Sequence, residues 1–206
     1  MIITKYDREM AHKIFTERFH PHKSDSEIFY ELIFCICVPQ TTFKNTIKVI
    51  DVLRTLEYYH FTDNQFYLEK GGEQEYLWSV LKPVRFYRNK AKYVVAARKN
   101  FPRILKILKD PLLPYLAPFK REWLVKNVKG LGMKTASHLL RNLGATNLAI
   151  IDTHILKFLG TDKKWKYAEE EEYFKEMAKK HKISVAELDI VIWKYYSKTE
   201  WVDYVR

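Results

Sequence analysis

The sequence predicts an all-α fold, and three observations carry that prediction. Helix-capping signals recur along the chain, only six glycines occur with none before Gly71, and no Asn-Gly or Asp-Gly turn joins alternating apolar runs. Without hairpin turns, a β architecture has no connections to build on. Taken in order, Ser24-x-x-Glu27 opens an apolar-periodic stretch with Ile28, Leu32 and Ile36, and Thr62-x-x-Gln65 opens another. Phe119 to Val128 reads as a helix because Trp123, Leu124 and Val128 recur at three-to-four spacing. A short Gly130-Leu-Gly132 turn follows, then a helix from about Met133 to Leu143. Ser184-x-x-Glu187 opens the last helix, from Leu188 to Tyr195. A loop near Lys70-Gly71-Gly72 and prolines at 102, 111, 114 and 118 punctuate the middle. No polar low-complexity linker divides the chain, so residues 1–206 are expected to work as one unit.

Composition narrows the class. In 206 residues, 47% hydrophobic content excludes gross disorder and allows one substantial core or two small ones. The 36 Lys+Arg against 25 Asp+Glu give a net charge of +11, the footprint of a polyanion binder, with nucleic acid as the default partner. The competing reading of that charge is a lysine-rich protein with no such partner. The longest apolar run, Leu32 to Val38, is seven residues, and the amino terminus lacks a signal-peptide apolar region. No membrane association is expected, and a cytoplasmic, nucleoid-associated location is. Cys35 and Cys37 alternate within an apolar helix and cannot supply a four-cysteine cluster, which excludes an iron–sulfur centre and makes them core residues. No His/Cys/Asp cluster has zinc-site spacing, and the pair His20 and His22 is too sparse for a metal, so neither metal nor cofactor is expected.

The most informative stretch is Lys129-Gly-Leu-Gly-Met-Lys134, followed by Ile151-Asp152-Thr-His154. Gly130 and Gly132 let the chain reverse tightly and leave backbone N–H groups at the mouth of a helix, an arrangement that fits a DNA phosphate. Asn127 to His138 and Leu148 to His154 resemble the helix-hairpin-helix motif and following aspartate segment of the helix-hairpin-helix DNA glycosylases. With the stretch Glu187-Leu-Asp-Ile-Val-Ile-Trp193, the chain most resembles the compact archaeal-type 8-oxoguanine DNA glycosylase/lyases. The strong match covers roughly residues 123 to 159. The resemblance implies two helical subdomains with the motif at the cleft between them: an inner one of about 41–150, and an outer one of about 1–40 plus 151–206.

It also implies the chemistry. Loss of a base leaves positive charge on the sugar, so the site needs a nucleophile for C1′ and an anion beside the oxocarbenium-like centre. Lys134 and Asp152 supply those groups. Lysine attacks only when neutral, and a helix N-terminus with partial burial favours that form. Attack gives an imine, which acidifies C2′ and allows β-elimination. On residues alone, Lys134 reads equally as a phosphate-binding helix lysine and Asp152 as an N-cap for the helix beginning at Thr153. His154 is expected to donate to a phosphate beside the lesion, as the corresponding family histidine does, and otherwise reads as a surface histidine. His138, one turn after Lys134, reads first as a structural residue.

A base within a duplex must be flipped out before that lysine can reach it. Val38 to Thr42 resembles the glycosylase loop that fills the resulting gap, with Gln40 as the filling side chain. Val84 to Lys90 interleaves aromatic and basic residues, making Phe86 the expected wedge and Arg88 a phosphate contact, unless Phe86 and Tyr87 merely close a core. The family recognises the oxidised purine with a tail ending in lysine, whereas this chain ends Trp201-Val-Asp-Tyr-Val-Arg206. Trp201 and Arg206 are therefore the expected base-recognition residues of a divergent tail. These readings converge on a monomeric DNA repair enzyme that excises 8-oxoguanine from damaged double-stranded DNA and cleaves the abasic site. The rivals are an oxidised-pyrimidine glycosylase/lyase using the same lysine, and a non-catalytic helix-hairpin-helix DNA-binding module.

Overall fold

The computed structural model describes residues 2–62, 72–110, 112–161, 166–197 and 201, and among these every regular element is helical. Side-chain caps set several of the starts. Thr4 opens α1 (Lys5–Arg18): its hydroxyl accepts from Asp7 N–H at 3.1 Å while the Asp7 carboxylate accepts from Thr4 N–H at 3.0 Å. Ser24 and Glu27 form the same reciprocal pair at 3.2 and 2.7 Å, opening α2 (Asp25–Cys37). Each pair satisfies two amide groups that a helix start otherwise leaves without partners. Thr42 caps α3 (Phe43–Thr55), and a 3-10 turn at Tyr58–His60 follows. The middle of the chain forms α4 (Gly72–Leu81), α5 (Tyr87–Lys99), α6 (Phe101–Leu108), α7 (Leu113–Asn127) and α8 (Met133–Asn142). The last helices are α9 (Thr153–Leu159), α10 (Tyr167–His181) and α11 (Val185–Ser197), with Ser184 and Glu187 forming the expected box on α11. The expected cap at Thr62 and Gln65 falls partly outside the described residues.

The buried side chains form two cores. In the first, α2 is sheathed on all sides by α3, α5, α6 and α8, which is why its sequence is apolar nearly all round rather than on one stripe. Phe29 sits at its centre, edge-on to Phe101 at 5.0 Å and Tyr30 at 5.4 Å. Burying one such ring is worth roughly 1.5–3 kcal/mol before packing geometry is counted. Cys35 and Cys37 are free thiols inside this core, and burial pushes the Cys37 thiol up to about 12. The second core joins the two chain ends, with Ile14 of α1, Ile155 of α9, Phe174 of α10 and Ile192 of α11.

The chain passes from one core to the other between Leu148 and Ala149. The segment expected to form the outer subdomain, up to residue 40, does not pack as one body. The α2 helix belongs to the first core, because its buried residues face α5 and α8 rather than the terminal helices.

Candidate active site

The α7–α8 hairpin is closed by one glycine that the turn requires. Gly130 has φ +93°, and a Cβ there would lie 2.8 Å from the Tyr93 ring, so both backbone conformation and space exclude a side chain. Gly132 departs from the expectation of two turn-making glycines. Its φ of −108° is open to any residue and a Cβ would meet nothing within 4 Å; it serves as the N-cap of α8. Its N–H is also engaged, donating to Thr135 Oγ1 at 2.9 Å, so any phosphate contact at this helix mouth falls to the amides that follow.

Lys134 stands on the first turn of α8 and Asp152 at the N-cap of α9, and both line one cleft of about 720 Å³ between the two cores. Asp152 Oδ1 accepts from His154 N–H at 2.8 Å and Ile155 N–H at 3.0 Å. The capping role weighed for it is thus real and uses one carboxylate oxygen. Lys134 is exposed, contrary to the expected partial burial, because the first turn of α8 faces the open cleft.

Deeper in the cleft lie groups with shifted proton affinity. Asp189 on α11 is buried, and burial pushes its carboxyl up to about 7. The charge of Asp152 adds to that rise, while Arg141, whose Nη1 is 3.7 Å from Asp189 Oδ2, and Lys134 oppose it. His138 moves the other way: burial and the positive charges of Arg141 and Lys134 hold its imidazole well below the ordinary histidine range. Both shifts favour the neutral form, as a poorly hydrated pocket should. Aromatic rings complete the wall, with Phe34 edge-on to His138 at 5.6 Å and Phe43 tilted against Trp193 at 6.2 Å.

Gln40 lines the same cleft, exposed and in the left-handed region at φ +55°. Phe86 is half exposed, is likewise left-handed at φ +59°, and stands outside the cleft lining with the Arg85 guanidinium 4.9 Å from its ring centre. Lys90 underlies these two loops. Its buried ammonium donates to Cys37 O at 2.7 Å, Pro39 O at 2.6 Å and Thr41 Oγ1 at 3.2 Å, and Thr41 Oγ1 also accepts from Arg85 N–H at 3.2 Å. Arg88 is exposed, resting near the Trp78 and Tyr87 rings. Tyr87, but not Phe86, packs on the first core.

Two further expected residues sit away from the cleft wall. His154 is half-buried and stacks on Tyr196 at 6.0 Å. Trp201, expected at the base pocket, is instead buried in the second core with Lys194 Nζ 5.4 Å from its ring centre, because burial takes the large apolar area of an indole out of water. Arg206 lies outside the described residues. The residues missed in the sequence are Asp189 and Trp193, which sit four apart and so share one face of α11, turned to the cleft. The available signal was an aspartate inside the apolar run from Leu188 to Trp193.

Comparison with known proteins identifies the family. Residues 11–183 match the family model for 8-oxoguanine DNA glycosylase. A Fusobacterium nucleatum protein named 8-oxoguanine DNA glycosylase/AP lyase is 35% identical, over 93% of this chain and 92% of its own. A Korarchaeum cryptofilum protein of the same name is 34% identical, over 85% and 82%. The crystal structure of Methanocaldococcus jannaschii 8-oxoguanine DNA glycosylase superposes with a TM-score of 0.75 at 29% identity, covering 95% of this chain and 94% of that one. The glycosylase/lyase of the same organism in complex with a 15mer DNA containing 8-oxoguanine also gives 0.75, at 27% identity, covering 93% and 91%.

Proposed function

The chain belongs to the 8-oxoguanine DNA glycosylase family, and from that membership we propose that it excises 8-oxoguanine from DNA with Lys134 as nucleophile and cleaves the strand as an abasic-site lyase. The observation that carries the assignment of residues is that Lys134 and Asp152, on different helices, line a single cleft. In this reading Lys134 Nζ bonds to C1′ as the glycosidic C–N bond breaks and the base departs with the bonding electrons and a proton. Asp152 stabilises the positive charge that develops on the sugar. Opening of the ring gives a Schiff base to Lys134. Loss of a C2′ proton then expels the 3′ phosphate, and water releases the lysine.

Lys134 is exposed in the protein alone, and DNA covering the cleft would exclude water from it. A flipped purine would enter between the Phe43–Trp193 wall and Asp189, whose carboxyl offers hydrogen bonds to a base edge. Gln40 would fill the vacated stack and Phe86 would wedge it open. Gly130, the amides that follow Gly132, and Arg88 belong to the DNA-backbone surface, and His154 contributes to it through α9. The net charge of +11 supports double-stranded DNA as partner; in this reading the enzyme acts as a monomer on nucleoid DNA.

Borohydride trapping tests the reading. The protein should become covalently linked to duplexes containing 8-oxoguanine, and Lys134→Gln should abolish the link while binding persists. Undiminished trapping by that variant would remove Lys134 from the mechanism.

A further inference from the structure

At the point where the chain crosses between the two cores, a buried polar group sits among apolar packing. Arg121 of α7 and Glu171 of α10 are both almost wholly buried and pair bidentately, Nη1 to Oε1 at 2.6 Å and Nη2 to Oε2 at 2.7 Å. A buried ion pair is a poor source of stability, since well-packed apolar side chains of the same volume commonly serve as well or better. What this pair touches is therefore more telling than its strength.

Arg121 Nη1 also donates to Ser137 Oγ at 3.1 Å, and Ser137 lies one turn beyond Lys134 on α8. Glu171 Oε1 accepts the N–H of Ala149 at 3.0 Å. Tyr167, with its ring beneath the Arg121 guanidinium, donates its hydroxyl to Ala149 O at 2.7 Å. The same hydroxyl lies 3.4 Å from Ile151 N and 3.3 Å from Ser137 Oγ. One connected set of hydrogen bonds thus grips the helix that carries Lys134 and the backbone run that ends at Asp152. None of its three charged or phenolic members lines the cleft.

We propose that Arg121, Glu171 and Tyr167 are positioning residues that hold α8 and the 149–151 segment in fixed relation, and so set the approach of Lys134 to Asp152. The proposal rests on the catalytic reading of those two residues. The hydrogen bonds suit the task because they are directional, whereas the surrounding apolar contacts tolerate sliding. Small displacements of reacting groups are costly, with about 1 Å enough to lose on the order of a hundredfold in rate.

The test compares this brace with a buried hydroxyl elsewhere. Tyr58, in the first core and outside the cleft, donates to Glu73, which also pairs with Arg98. Tyr167→Phe, Glu171→Gln and Tyr58→Phe would be measured for single-turnover excision of 8-oxoguanine well below each unfolding midpoint. Trapping at a preformed abasic site and affinity for a duplex with an uncleavable abasic analogue would be measured beside it. Tyr167→Phe should slow excision and trapping by about tenfold and Glu171→Gln by more, as expected for lost hydrogen bonds that act only through alignment. Affinity should stay at the wild-type level, and Tyr58→Phe should keep the wild-type rate however much it lowers the midpoint. Wild-type excision and trapping in both brace variants would overturn the proposal alone. A wild-type protein that excises nothing would overturn the functional reading and the brace with it.

Discussion

The two ends of the cleft are built on opposite terms. At the chemical end, Lys134 and Asp152 occupy helix starts with ordinary backbone, and the one left-handed position in the hairpin is a glycine, Gly130. At the probing end, Gln40 and Phe86 hold left-handed conformations without being glycines, at about 1–2 kcal/mol each. Lys90 offsets part of that cost by tying Cys37, Pro39 and Thr41 to one ammonium. Each end has its own requirement. In the proposed mechanism, reactivity at the chemical end depends on placing two charged groups, which relaxed helix termini do well. The proposed probing role needs long side chains aimed out of tight turns, where a relaxed chain would carry glycine and have nothing to insert.

The two roles of Asp152, cap and charge, can be separated by substitution. Asparagine caps a helix as well as aspartate but carries no charge. Asp152→Asn should therefore lower single-turnover excision by orders of magnitude with an unfolding midpoint close to the wild type. Asp152→Ala should lose the rate and also about 1 kcal/mol of stability, because the amides of His154 and Ile155 lose their acceptor. Denaturant titrations beside the kinetics check both. Equal stability of the two variants would mean that the cap contributes nothing, and a rate near wild type in Asp152→Asn would remove the charge from the mechanism.

At the probing end the expected effects are smaller and run the other way in stability. Gln40→Gly relieves the left-handed backbone and removes the side chain, so the protein should be no less stable while excision slows by about tenfold. Phe86→Ala should slow excision similarly through lost stacking and leave the salt dependence of binding unchanged, whereas Arg88→Ala should lower the slope of log affinity against log salt by about one. Trapping at preformed abasic sites requires no base extrusion and should persist in Gln40→Gly and Phe86→Ala. A loss there equal to the loss on 8-oxoguanine would mean that these loops shape the chemical end, and the contrast would fail.

The same contrast explains what could be read from the sequence. The hairpin and the Asp152 cap were legible because tight turns and caps demand particular residue types at fixed spacing, whereas the role given to Lys134 came from the family resemblance. The all-α class followed from local capping signals, and the boxes at Ser24 and Ser184 form as expected. The placement of α2 in the first core was not legible, since an apolar helix carries no label for the partners that cover it. Nor was the exclusion of Trp201 from the cleft, because an aromatic residue near a chain end suits a core and a stacking platform equally. The Arg121–Glu171 pair joins residues fifty positions apart in ordinary helical settings, and only tertiary structure brings them together.

Asp189 provides the finest test, because it lies between the cleft's charges and the second core. Its carboxyl, pushed up to about 7, keeps its proton in the folded protein across a range in which the unfolded chain has already released it. The folded state therefore binds more protons between the ordinary aspartate range and about pH 7, and stability must fall as pH rises through that window. Asp189→Asn removes the titration but keeps a side chain of similar size and polarity. The variant should gain on the wild type as pH is raised from 5 to 8, on the order of 1 kcal/mol, less than the full shift because buried charges relax and attract water. His138 titrates in the opposite sense but is present in both proteins and cancels in the difference. Urea midpoints of the two proteins at several pH values give the measurement. Parallel profiles, or a wild type that gains with rising pH, would show that Arg141 holds Asp189 ionised, and the cleft would then present a carboxylate rather than a neutral acid to the base.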